Sequence, residues 1–151
     1  TDRLSTSAAK GVISNWMVSP QLIIQNDDKI VFYTKALQYP NGSGDSTDYG
    51  NSLQLRINTI DTGLNVGTGI NPGNFTKVLI AINPLLTFSS LLLPNPAAYP
   101  SQWTRFESTI SGLTSPVKGR FAFRYFVVDG GPGGYGSGVG IDAVSYKSAG
   151  Y

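Results

Sequence analysis

Between Ser52 and Thr59 apolar and polar side chains alternate: Leu53, Leu55 and Ile57 fall on one face of an extended chain, and Gln54, Arg56 and Asn58 on the other. This predicts a strand with its leucines inward and its polar residues outward. From Gly119 to Asp129 the pattern differs. Phe121, Phe123, Tyr125 and Val127 share one face, and Ala122, Arg124, Phe126 and Val128 share the other. Both faces are largely apolar, which predicts a strand in the middle of a sandwich rather than at its rim. Lys29 to Leu37 reads as a third strong strand, with Ile30, Phe32 and Thr34 opposite Val31, Tyr33 and Lys35.

Five further segments fit shorter strands: Asn15–Val18, Gln21–Ile24, Phe75–Ile82, Thr104–Ile110 and Gly138–Lys147. Ser19-Pro20 stops the first, because proline has no amide to donate to a ladder, and Asn26-Asp27-Asp28 reads as a turn. Tyr39–Asn51 and Asp61–Asn74 are rich in Gly, Asn, Asp and Ser/Thr and read as loops. There is no internal repeat and no helical pattern. Eight strands between Gly/Pro/Asn turns predict an all-β fold, an antiparallel β-sandwich of jelly-roll type. Residues 14–151 are expected to form that domain, and residues 1–13 a polar N-terminal arm or a remnant of missing strands before it.

Composition supports a single β domain. The chain has 151 residues, enough for one core. Charged residues make up 13%, about half the usual share, and Glu107 is the only glutamate. The net charge of +2 is scattered, so nucleic-acid binding has no electrostatic footprint. There is no histidine and no cysteine. Ser-His-Asp and Cys-His triads, His-liganded zinc, disulfides and thiolate nucleophiles are therefore excluded. The longest apolar stretch, Val78–Leu93, is broken by Asn83-Pro84, Thr87 and Ser89-Ser90, so no transmembrane segment is expected. The opening residues do not resemble a leader, which suggests a removed signal or a fragment.

Few motifs carry chemistry. Gly134-x-Gly136 follows a strand but lacks the helix that a phosphate loop needs. Ser115/Lys118 and Ser7/Lys10 have the S-x-x-K spacing, which presents both side chains together only on a helix. Asn41-Gly-Ser43 and Asn74-Phe-Thr76 are glycosylation sequons. Among the aspartates, Asp27, Asp28 and Asp129 suit Asx turns. Asp142 lies inside a strand pattern, where aspartate is disfavoured. Either a Ca²⁺ ligand role or a hydrogen bond to neighbouring backbone accounts for it. No cofactor is required. Tyr39, Tyr49, Tyr99 and Tyr135 fall in loops, where tyrosines stack on sugars or anchor a partner.

Six blocks occur in order: Ser14-Asn-Trp-Met-Val-Ser-Pro20, Lys29-Ile-Val-Phe-Tyr-Thr34, Leu53-Gln-Leu-Arg56, Trp103-Thr-Arg-Phe106, Gly119-Arg-Phe-Ala-Phe-Arg-Tyr125 and Gly140-Ile-Asp-Ala-Val144. Together they resemble the choice-of-anchor J domain, related to cleaved-adhesin and MAM-like jelly rolls. The resemblance implies a non-enzymatic jelly roll that is exported, extracellular or at the cell surface, and attached to a surface or matrix, and it carries the family's calcium position onto Asp142. Ala143 stands where the family often has a second acid. Family members also carry further strands before the Asn-Trp block, and the Leu85–Pro96 segment has no counterpart in them.

A sandwich short of strands exposes an edge and apolar core. This leads to the expectation of a homo-oligomer or filament built by strand complementation. The donor is either the N-terminal arm, through Leu4, Val12 and Ile13, or the insertion, through Leu91, Leu92 and Leu93. The alternative is a carbohydrate- or host-surface-binding module that uses the loop tyrosines.

Overall fold

The computed structural model describes residues 10–150. Among them the fold is all-β, without a helix, and its sheets are antiparallel. The ten strands are β1 (Gly11–Val18), β2 (Leu22–Ile24), β3 (Lys29–Ala36), β4 (Tyr39–Pro40), β5 (Ser46–Thr47), β6 (Leu53–Asn58), β7 (Lys77–Ile82), β8 (Thr104–Thr109), β9 (Val117–Gly130) and β10 (Val139–Lys147). All eight sequence-derived strands are present. Only the two-residue β4 and β5 lack a counterpart in the sequence reading.

The larger sheet runs β1-β9-β6-β7, and β2 also pairs with β9. A second sheet runs β10-β3-β8, and β4 pairs with β5. The fourteen-residue β9 is paired on both sides, so it lies inside its sheet rather than at an edge. Along one side its partner is interrupted: β1 ends at Val18 and β2 resumes at Leu22. At the break Ser19 spans the gap. Its amide donates to Phe121 O at 2.9 Å, and its Oγ accepts from Phe121 N at 3.1 Å. Pro20 can then sit at the break without leaving β9 unpaired.

The two larger sheets touch through Phe32 on β3 and Phe123 on β9, edge to face at 4.8 Å. Ile30, Leu53, Leu55, Ile57 and Val127 complete a core nearly closed to solvent. Tyr146 on β10 stacks on Phe121 at 6.1 Å. Its hydroxyl bonds to Asp28, whose other oxygen accepts from Ala149 N at 2.8 Å.

The opposite face of the larger sheet corrects the expected inside and outside of β6. Arg56 and Asn58 are buried rather than outward, because the 59–76 loop covers them. Arg56 Nη1 donates to Phe75 O at 2.8 Å, and Asn58 Nδ2 donates to Asp61 Oδ1 at 2.7 Å. Arg124 beside them is only 1% exposed. It donates to Ser14 Oγ, Gly69 O and Ile70 O, and its guanidinium lies 3.9 Å from the Phe126 ring centre and 5.0 Å from that of Trp16. Carbonyl oxygens and aromatic faces stand in for a carboxylate. Burial, with the nearby charge of Arg56, pulls the Arg124 guanidinium down to about 10.

Candidate interaction surface

β1 and β10 are the edge strands on the same side of the molecule, and among the described residues neither has a strand on its outer flank. Between them lie two adjoining grooves. One, of about 400 Å³, is lined by Met17, Pro20 and Leu22 from the β1–β2 edge, Phe121 and Phe123 from β9, and Val144 and Tyr146 from β10. The other, of about 280 Å³, lies between Asn15–Met17, Leu53, Tyr125, Val139 and Ile141. The first holds no charged side chain, and Met17 is 49% exposed there.

β10 is not a smooth edge. Between Asp142 and Ser145 its register against β3 slips by one residue, which is a β-bulge. Ala143 takes a left-handed φ of 49°, and Asp142 Oδ1 accepts from Ala143 N at 2.7 Å. An aspartate in a strand pattern is thus explained by local hydrogen bonding at a bulge. Among the described residues no three His, Cys, Asp or Glu side chains come together as a metal-binding group.

The tyrosines separate into two environments. Tyr39 is exposed on β4, and Tyr49 Oη donates to Pro40 O at 3.1 Å on the same hairpin. Gly136 N donates to Tyr49 O at 2.8 Å, and Tyr135 packs beside Gly50, so three of the four gather at one end. Tyr99 does not join them. It is 2% exposed and hydrogen-bonds to Thr34 Oγ1 at 2.7 Å. The expectation that it makes surface contacts is corrected: its loop folds inward, and its hydroxyl satisfies a buried threonine.

The candidate assembly residues also divide. Leu4 lies outside the described residues. Val12 is exposed, but Ile13 is 1% exposed in the chain's own core, paired to Val127. An arm ending at Ile13 is therefore corrected. β1 begins at Gly11, and donating Ile13 to a neighbour means dismantling that strand. Leu91, Leu92 and Leu93 are exposed, Leu93 at 79%. They form a turn rather than a free strand, with Leu91 N bonded to Ser46 O and Ser90 N to Leu93 O.

The most connected polar residue escaped the sequence reading. Asn51 Oδ1 accepts from Tyr125 Oη (2.6 Å), Ser137 N (3.0 Å) and Gly138 N (2.9 Å), and its Nδ2 donates to Asp48 O (2.7 Å). It knots the 46–51 loop to the glycine-rich connection. That connection continues as strand rather than helix, so its amides bond to carbonyls of the same chain, Gly134 N to Gly131 O and Tyr135 N to Asp129 O. Ser115 and Lys118 are not on a helix either, while Ser7 lies outside the described residues. Among the described residues no helix is long and apolar enough to cross a membrane. No family model matches the chain, and neither does any curated protein or solved structure.

Proposed function

We propose that this chain is a non-enzymatic structural subunit of an extracellular assembly, a jelly-roll sandwich whose open side is completed by a strand from another copy. The observation that carries the reading is the apolar groove between two edge strands, β1 and β10, that lack outer partners among the described residues. A strand laid there pairs along the outer edge of β10 and fills the groove with alternate side chains. With Ile13 committed to its own core, the donor narrows to the segment before Gly11, where Leu4 is the large apolar residue. Donation from one copy to the next is head-to-tail and builds a ring or a filament. The absence of histidine and cysteine and the resemblance to choice-of-anchor J domains agree with a structural role.

The test compares wild type with a deletion of residues 1–9 and with Val144→Lys, which puts a charge in the groove. Mass by light scattering and particle shape by electron microscopy are the readouts. Wild type assembles and both variants stay monomeric. Monomeric wild type at every concentration, or filaments that persist in Val144→Lys, overturns the reading.

The gathering of Tyr39, Tyr49 and Tyr135 at one end favours a second reading, glycan or cell-surface recognition. A glycan array and calorimetry on wild type and Tyr39→Ala, with and without chelator, test it. No binding by wild type removes it.

A further inference from the structure

The leucine-bearing loop is tied to the body at β5. Leu91 N donates to Ser46 O at 3.0 Å, Asp48 N to Ser89 O at 3.2 Å and Thr47 Oγ1 to Ser89 O at 2.9 Å. Asp48 adds a side-chain clasp. Its Oδ1 accepts from Gly50 N at 3.1 Å on its own segment and from Ser89 N at 3.2 Å across the gap. Its Oδ2 is closed to solvent and has no hydrogen-bond partner among the described residues, and the residue as a whole is 0% exposed.

The titratable groups on the elements packed around Asp48 are Asp45 and Tyr49 on its own segment and Tyr135 on the glycine-rich connection. The 83–90 segment brings only the neutral Asn83, Thr87, Ser89 and Ser90. None of these is a cation. A buried carboxylate with one bare oxygen and no counter-charge is far costlier than the neutral acid.

We propose that Asp48 is a protonation-controlled latch: protonated, it holds the 87–93 loop against β5; ionised, its bare oxygen drives the two segments apart to admit water. Burial holds the Asp48 carboxyl above the usual carboxylate range, against the pull of its backbone hydrogen bonds. The closed form therefore binds the proton more tightly than the open form. Closure is complete below the open-state value of about 4 and is lost as pH rises through the closed-state value. Asp45 behaves oppositely. Hydrogen bonding to Ser90 and to backbone amides holds it below the usual range, so it is already charged when Asp48 begins to ionise. The latch does not depend on assembly, since it concerns the loop of a single chain.

Two measurements on the full chain test it. Amide hydrogen exchange at Ser89, Leu91 and Leu92, corrected for intrinsic base catalysis, is followed from about pH 4 to about pH 8. Loop opening should rise up to about tenfold per pH unit across the transition, the limit for one linked proton. Asp48→Asn keeps an acceptor for Gly50 N and Ser89 N without a charge, and its exchange should lose that dependence. Direct titration of the Asp48 carboxyl by NMR in wild type keeps the test decisive if the variant fails to fold. A flat wild-type profile, an unchanged slope in Asp48→Asn, or an Asp48 that titrates with ordinary surface carboxylates overturns the latch.

Discussion

The Tyr146 hydroxyl donates to Asp28 Oδ2, so the last strand is fastened to the turn between β2 and β3 by one charge-assisted hydrogen bond. The carboxylate is fully enclosed and also accepts from Gln25 N and Ala149 N. Burial pushes Asp28 up, but the bonds from Tyr146, Ala149, Gln25 and Ser148 together hold it below its ordinary value.

Tyr146→Phe should therefore cost about 1.5–3 kcal/mol in urea unfolding at neutral pH, the range for a hydrogen bond to a charged group. A lowered native pKa contributes stability above the unfolded value and loses it as pH falls through the native one. The difference between wild type and Tyr146→Phe should accordingly shrink in acid. A gap that stays constant with pH contradicts this account.

Asn51→Leu removes an acceptor from three donors at once: Tyr125, Ser137 and Gly138. The Ser137 and Gly138 amides lose their acceptor inside the fold, so a cost of about 4 kcal/mol is expected. Failure to accumulate as soluble protein, or a large drop in the denaturation midpoint, is the readout.

Arg124→Lys should not rescue what Arg124→Ala loses. The guanidinium serves Ser14, Gly69 and Ile70 while lying against Phe126, and an ammonium cannot reproduce that flat fork. Both variants should lose about 2–4 kcal/mol and raise hydrogen exchange in the 66–72 segment. A lysine variant as stable as wild type would show that charge alone suffices.

Gly119→Ala tests the approach of β9 to β6. A methyl group there lies 2.3 Å from Asn58 O, a backbone atom that cannot swing away. Strand separation must increase, and destabilisation of about 1–3 kcal/mol should follow, measured by thermal unfolding.

Strand positions were readable from the chain because β-periodicity and Pro/Gly punctuation are local. Leu53, Leu55 and Ile57 face inward as their alternation says. The fate of Arg56, Asn58 and Tyr99 was not readable, because it depends on loops that arrive from elsewhere. A polar face looks solvated until the 59–76 loop folds across it, and Tyr99 looks exposed until Thr34 supplies a buried partner. The groove between β1 and β10 belongs to the same class. Its lining comes from three stretches of sequence, and only the order of the strands brings them together. Asp48 and Asn51 sit in a stretch that reads as an ordinary polar loop, and nothing local distinguishes them from their exposed neighbours.

The slip at Asp142–Ser145 acts as a length gauge. A straight ladder along β10 can run through Val139–Ile141 and then meets a bend, so a short incoming segment fits where a whole foreign sheet does not. An edge of this kind tells a brief, tailored guest from indefinite lateral stacking. The same bend makes the β10 edge a poor template for a cross-β ribbon.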